Sequence, residues 1–157
     1  MRFRVAGMTL VLVLALALPA TAGAFTSVPA FRASLQRRIN NFRAEYGRGP
    51  IHLNLHLQTS AQAHSNDMAL HHNFSHSSSG GKNWIARIRY WGYRGSWIGE
   101  NLAVGNITAR TVMAMWKASP PHRANLLNGH FRACGIGAHK GTYAGRAAIY
   151  VTSDFGG

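Results

Sequence analysis

Two strand-like runs close the chain, and only helix-like segments precede them, which limits the folds open to this sequence. The runs "RACGIGAHK" and "GRAAIYVTSDFG" alternate small, polar and apolar residues and are joined through "GTYAG", so they predict a terminal β-hairpin. Strands and helices do not alternate as they do in parallel α/β folds. We therefore expect one α+β domain with an antiparallel sheet.

Apolar residues at helical spacing predict the first helices. In "FRASLQRRINNFRAEYG" the residues Phe31, Leu35, Ile39 and Phe42 form one stripe, with the arginines expected on the opposite face. A second helix is predicted in "NLHLQTSAQAHSNDMALHH", with Asn54 as its N-cap. A short third helix is predicted in "NWIARIRYWGY", after the loop "HSSSGGKN".

The segment "TARTVMAMWKAS" predicts a fourth helix, which follows the extended piece "WIGENLAVGN". Its inward side chains are expected to be Val112, Met115 and Trp116. Pro120 and Pro121 should stop this helix, because a helix rarely continues through two prolines.

The first 24 residues have the pattern of an export signal. Two arginines near the start precede "MTLVLVLALALPA", which is shorter than the roughly 20 apolar residues of a membrane span. Small residues at Ala22 and Ala24 fit a cleavage site. We expect a signal peptide over residues 1–24, a domain over residues 25–157, and a secreted, periplasmic or extracellular protein.

Charge and cysteine content further limit the functions and partners to be expected for this chain. The chain has 17 Lys and Arg against 4 Asp and Glu, and without the two signal arginines the net charge is 15 minus 4, or +11. The arginines are dispersed, which does not favour specific nucleic-acid binding. The charge indicates either attraction to an anionic envelope polymer or lipid, or a basic surface that reflects a general compositional bias, and charge alone does not decide. The single cysteine, Cys134, permits no internal disulfide and is predicted to be a buried, inert thiol.

Three residues are the candidates for chemistry. Most of the nine histidines are expected to be solvated, at a helix end or, like His64, in the core. By contrast His76, in "NFSHSSSGG", and His122, in "SPPHRANLL", lie in polar or stiff segments, and Glu100 is one of only four acids. Two imidazoles and one carboxylate are either a ligand set for zinc and related ions or an acid–base trio, and the spacing does not decide.

Several motifs follow one another along the chain: "INNFRAEYG", "AQAHSNDMALHHNFSHSS", "GENLAVG", "MWKASPPHRANLLN", "CGIGAH" and "YVTSDFG". In this order they resemble the CAP superfamily of cysteine-rich secretory, antigen 5 and pathogenesis-related proteins, in its bacterial, SCP-like branch. The resemblance covers essentially all of the chain after the signal. It implies a three-layer α-β-α sandwich with an antiparallel sheet between helical layers.

The resemblance also implies a central cleft with two histidines and two acids. The histidines fall on His76 and His122 and one acid on Glu100, but the second acid would fall near Ser119, where none is present. The expected metal site is therefore His76, Glu100 and His122, completed by water and Ser119. It should bind its ion, zinc by expectation, weakly, because one formal negative charge is missing.

Two main functions from different classes remain, beside a third in which the cleft is vestigial and the chain is an envelope or partner-interaction protein. The first is a secreted, monomeric binding module whose cleft holds a metal ion and which recognises lipid, sterol or cell-envelope material. The second is a metal-assisted or acid–base hydrolase of peptide or cell-wall substrates, with His76 and His122 as acid and base. Asn101 and Asn125 are expected to support loop backbone rather than to bind ligand. The four tryptophans are expected in the core and the cleft wall.

Overall fold

The computed structural model describes residues 27–157, so the predicted signal peptide and its cleavage site at Ala22 or Ala24 lie outside the described residues. Five helices and four strands follow one another within that range. They are α1 (Val28–Glu45), β1 (His52–Leu53), α2 (Leu55–Leu70), α3 (Trp84–Tyr90), β2 (Ile98–Gly105), α4 (Ala109–Ala118), α5 (Pro120–Leu127), β3 (Ala133–Tyr143) and β4 (Arg146–Gly156).

The sheet has the strand order β1-β3-β4-β2. The predicted terminal hairpin is confirmed, since β3 and β4 pair antiparallel along their whole length and turn at Ala144 and Gly145, which both have positive φ. On its other side β4 pairs antiparallel with β2, so the piece predicted as extended is a strand. Only β1 departs from the predicted antiparallel sheet, because its two residues pair parallel with β3. A strand of two residues is too short for an alternating sequence pattern to predict it.

The helices lie on both faces of this sheet, as the three-layer prediction requires. The larger core joins one face of the sheet to α1, α4 and α5, through side chains such as Leu35, Val112 and Val151. On the other face, α2 and α3 cover two smaller apolar clusters, one around Met68 and Tyr150. Within residues 27–157 no helix is both long and apolar enough to cross a bilayer.

Glycines allow α2 to approach β3 closely. A Cβ at Gly135 or Gly137 would collide with the backbone of α2, so the alternation in "CGIGAH" marks a contact between helix and strand. Gln58 of α2 bonds both backbone groups of Ile136, through Nε2 to the carbonyl at 2.8 Å and through Oε1 from the N–H at 3.1 Å. These side-chain bonds occupy the strand edge that the short β1 leaves open.

The predicted starts and stripes of the first helices are confirmed. Phe31, Leu35, Ile39 and Phe42 are all buried, and the Asn54 side chain caps α2 by accepting from two backbone N–H groups. The prediction that the arginines lie on the opposite face of α1 is wrong for Arg43, which is fully buried. Its guanidinium satisfies backbone carbonyls of the neighbouring loops.

Two details around α4 correct the sequence prediction. Met115 is 45% exposed, and Met113 takes the inward position because the buried face runs through Ala109, Val112, Met113 and Trp116. The two prolines do end α4, but they also begin α5, because proline at the first helical turn needs no N–H and has a suitable φ. The short helix α5 was not predicted.

Candidate functional site

The site is built around the edge strand β2. Because successive side chains of a strand point to opposite faces, Glu100 faces the layer of α2 and α3 and Asn101 faces α5. Glu100 is only 5% exposed, and its register partner in β4 is Asp154. A carboxylate buried this deeply requires partners that offset its desolvation.

Arg87 of α3 is the main partner of Glu100. This arginine is also buried, and its Nη2 donates to Oε2 of Glu100. Its Nη1 donates to the backbone carbonyl of His76 and to Oγ of Ser78, each at 3.2 Å. One guanidinium therefore fixes both the carboxylate and the start of the loop that carries His76.

His76 binds the second oxygen of the same carboxylate. Its Nδ1 lies 2.7 Å from Oε1 of Glu100, while more than half of the imidazole is exposed. Since the carboxylate can only accept, Nδ1–H donates, and in the neutral ring Nε2 keeps its lone pair. Glu100 thus selects the tautomer and the orientation of His76.

The loop after α2 is fixed at two further points. Asp67 accepts from the backbone N–H of Ser79 at 2.8 Å and from its hydroxyl. His64 is buried, as predicted, and its Nε2 lies 2.8 Å from the carbonyl oxygen of Ser75, to which it donates. Burial lowers the pKa of His64, with a further lowering from the charge of Arg87. These contacts hold His76 in place from both sides.

His122 reaches the site from α5 on the other side of β2. Asn101 donates to its backbone carbonyl at 3.0 Å, and Asn125 donates to the carbonyl of Glu100 at 3.0 Å and to Oδ1 of Asn101 at 2.9 Å. Both amides bond backbone, as predicted, but the carbonyls belong to α5 and β2 and not to a loop. Burial lowers the pKa of His122, and the nearby His76 lowers it further, which favours a neutral imidazole with a free lone pair.

Asp154 was missed as a site residue. It is completely buried opposite Glu100, and neither of its carboxyl oxygens has a hydrogen-bond partner within residues 27–157. Burial raises its pKa well above the usual value, and the charge of Glu100 raises it further, while Ser60 and Arg87 act in the opposite direction. The one available signal was that Asp154 is among only four acids in the chain.

The contacts of Glu100 bear on how these residues fit a metal ion. Both carboxylate oxygens bind His76 and Arg87, so neither is free to serve as a ligand without displacing one of them. Among residues 27–157, no three His, Cys, Asp or Glu side chains form a metal-binding group. The bonds of Glu100 give it the position of an orienting carboxylate behind His76, which leaves the two imidazoles as the nitrogen donors available among the three predicted residues. Ser119 connects α4 to α5 and is half-buried.

The remaining predictions concern the tryptophans and the cysteine. Trp116 is a core residue whose Nε1 donates to the Leu102 carbonyl, and its ring packs 6.4 Å from that of His122. Trp91 and Trp97 are exposed, so neither is a core residue. Cys134 is buried, and burial raises the pKa of its thiol to about 12, as expected for an inert residue.

Comparison of the sequence with known families identifies one match. Residues 36–155 match the model of the CAP family, described as the cysteine-rich secretory protein family. The curated protein YkwD of Bacillus subtilis, described as uncharacterized, is 32% identical over 117 residues, which are 74% of this chain and 46% of YkwD. The chain therefore spans about half the length of this relative.

Solved bacterial structures share the fold. An extracellular SCP-domain protein from Bacillus anthracis has a TM-score of 0.65 at 24% identity, covering 85% of this chain and 44% of that one. An outer surface protein from Borrelia burgdorferi has a TM-score of 0.65 at 20% identity, covering 78% and 89%. These similarities confirm the three-layer α-β-α sandwich.

Proposed function

This chain belongs to the CAP family of cysteine-rich secretory proteins, and we propose that it is an extracellular binding module whose cleft holds a divalent ion. The imidazoles of His76 and His122 would be the protein ligands, with zinc the expected ion and lipid, sterol or cell-envelope material the expected partner. The export-signal pattern supports secretion. The descriptions of bacterial relatives as extracellular or outer-surface proteins support it as well.

One observation carries the metal proposal: Nδ1 of His76 is bonded to Glu100 at 2.7 Å. Metal-ligating histidines almost always donate their second ring N–H to a carboxylate or carbonyl, and this fixes the ring and raises its basicity. Arg87 holds the other oxygen of Glu100. Glu100 is therefore assigned to orient His76 instead of ligating the ion.

The same arrangement explains why binding should be weak. Two neutral nitrogens are the ligands, and the negative charge of Glu100 is already balanced by Arg87. Water and the side chain of Ser119 would have to complete the coordination. When bound, such an ion acts as a Lewis acid and polarises an oxygen-bearing ligand in the cleft.

Zinc titration of the purified protein, by calorimetry or by competition with a zinc-sensitive dye, tests this proposal. The variants His76→Ala and His122→Ala should abolish binding, and Glu100→Gln should weaken it by about 10- to 100-fold, because the orienting bond is weaker. His52→Gln, at an exposed histidine of β1, is the matched control and should leave binding unchanged. Retained affinity in His122→Ala, with the fold intact by circular dichroism, would contradict the proposal.

Ser119→Asp is the complementary variant that should gain affinity. It returns a carboxylate to the position near which the family has its second acid, at the start of α5, where aspartate is a favourable N-cap. Zinc should bind about tenfold more tightly, while Ser119→Asn, which caps without charge, should bind as the parent does. If both variants bind zinc equally, the missing charge does not limit affinity.

An acid–base hydrolase is the second candidate, and the bonded pair of His76 and Glu100 favours it, since an oriented imidazole is a common general base. We place it second because, among the described residues, no hydroxyl or thiol is hydrogen-bonded to His76 or His122 as a nucleophile would be. The hydrolase would become the first candidate if the protein turned over peptide or peptidoglycan fragments, if this activity disappeared in His122→Ala, and if zinc-free protein were equally active.

A further inference from the structure

A groove with a basic rim lies between α1 and α4, and neither His76 nor His122 lines it. Its volume is about 650 Å³. Five of its lining residues come from α4 and four from α1. They are Arg38, Asn41, Phe42 and Glu45 of α1, and Arg110, Met113, Ala114, Lys117 and Ala118 of α4. We call this the α1–α4 groove.

The groove follows from the periods of the two helices. Positions 38, 41, 42 and 45 form one face of α1, and positions 110, 113, 114, 117 and 118 form one face of α4. Its apolar floor is already used by the core, since Phe42 is 3% exposed and Met113 is 6% exposed. An acyl chain would therefore find little apolar surface to cover, and the polar rim is what the groove offers a ligand.

The rim carries an excess of positive charge. Arg38, Arg110 and Lys117 face a single acid, Glu45, and the ion pairs within residues 27–157 involve only Asp67 and Glu100. Nε of Arg38 is buried and has no hydrogen-bond partner in that part of the chain. The excess of positive charge along the rim favours an anionic ligand in the groove.

Lys117 marks one end of the row of cations. Its Nζ lies 4.6 Å from the ring centroid of Phe42, and the guanidinium of Arg123 lies 5.9 Å from the same centroid. Arg110 is seven residues earlier on α4, a rise of about 10 Å along the helix. The cations therefore define separate anion positions along the groove, which suits a repeating charge better than a single ion.

We propose that the α1–α4 groove binds a phosphodiester polymer of the cell envelope, such as a glycerol phosphate polymer, along the row from Arg110 to Lys117. Repeated phosphates match spaced cations, and arginine binds phosphate oxygens in pairs. The choice of an envelope polymer rests on the extracellular location in the proposed function. It does not depend on the metal site, so zinc binding and polymer binding fail independently.

Fluorescence anisotropy with a labelled glycerol phosphate polymer tests the groove, using two triple variants of equal net charge. The groove variant is Arg38→Gln/Arg110→Gln/Lys117→Gln. The control is Arg37→Gln/Lys82→Gln/Arg146→Gln, which removes three exposed cations elsewhere. The groove variant should lose tenfold or more in affinity, and the slope of log K against log salt should fall by about 2 for three phosphate contacts.

The control variant should keep an affinity close to that of the parent protein, and zinc binding should be unchanged in both. Equal losses in the two triple variants would show attraction to net charge alone and overturn the groove assignment. Tighter, groove-dependent binding of a single-stranded oligonucleotide would overturn the envelope source. If the groove variant is unstable, Arg38→Lys/Arg110→Lys keeps the charge but removes the bidentate contacts, so it should fold and bind the polymer several-fold more weakly. Parent affinity in this folded variant would overturn the assignment of the two arginines to the phosphates.

Discussion

Two arginines are buried in this domain, and the difference between their surroundings separates scaffold from site. Arg43 is 0% exposed and Arg87 is 3% exposed. Nε of Arg43 donates to the carbonyl of Gly49 at 2.8 Å, and its two terminal nitrogens donate to the carbonyls of Leu126, Asn128 and Phe131. Arg87 instead pairs with the carboxylate of Glu100.

The positive charges of Arg43 and Arg87 are balanced by groups with different properties. The carbonyls around Arg43 are fixed dipoles that do not titrate, and they tie α1 to the connection between α5 and β3. Burial lowers the pKa of Arg43, and the charges of Arg132 and Arg48 lower it further. Arg87 has one ionisable partner, Glu100, besides the carbonyl of His76 and the hydroxyl of Ser78, so the environment of that site can respond to pH and to ligands.

Removing Arg43 should have the largest effect on stability. Arg43→Met leaves four carbonyls without their donor, and we expect a loss of about 4 kcal/mol in the free energy of unfolding. Arg43→Lys should recover only part of this, because an ammonium group cannot reproduce the geometry of the guanidinium. Urea denaturation measures the change, and Arg37→Met, at an exposed position of the same helix, is the control.

A loss of less than about 1 kcal/mol in Arg43→Met would show that water replaces the guanidinium easily. The scaffold role assigned to Arg43 would then be wrong. The zinc affinity of a folded Arg43 variant should equal that of the parent, because this arginine contacts none of the site residues. This last result is the sharpest contrast with Arg87.

Removing Arg87 should cost less stability but should disturb the site. Arg87→Met leaves Glu100 buried without its cation, which we expect to cost about 3 kcal/mol. The double variant Arg87→Met/Glu100→Gln should lose less than the sum of the two single changes, with a coupling of about 2 kcal/mol. A double-mutant cycle in urea measures this coupling, and additivity would mean that the ion pair contributes nothing net.

The difference between the two arginines also shows what the sequence could predict. The stripe of α1 was found because Phe31, Leu35, Ile39 and Phe42 repeat at helical spacing. The next residue, Arg43, was assigned to the polar face with the other arginines. Three of the four carbonyls that accept from Arg43 lie 83 to 88 residues away in the chain, so no local pattern indicates its burial.

The site was predictable to a similar degree. His76 and Glu100 were selected from their local context, and the structure brings them into contact. Arg87 and Asp154 were not selected, because a basic residue in a short helix and an acid in a strand have ordinary local explanations. Their importance comes from the register of β2 against β4 and from the packing of α3, which are tertiary facts.

The smallest effect, and the one that tests the pH response, is expected for Asp154→Asn. Burial and the charge of Glu100 raise the pKa of Asp154 in the folded protein above its unfolded value. The protonated form of Asp154 therefore stabilises the folded protein, and this contribution is complete at pH values below the pKa of the unfolded state, near 3.8. It is lost as the pH rises through the raised pKa of the folded state. Asparagine keeps the shape without titrating, so this variant should lack that loss.

Urea midpoints of the parent and Asp154→Asn should therefore be similar near pH 4, and above it the variant should become the more stable of the two. Asp67→Asn is the control of opposite sign. Burial raises the pKa of Asp67, but its bonds to Ser79 outweigh this and lower it overall, so the stability from its charged form is lost as pH falls. If the difference in stability between the parent and Asp154→Asn does not change with pH, Asp154 is not the group that makes the stability of the Arg87 region depend on pH.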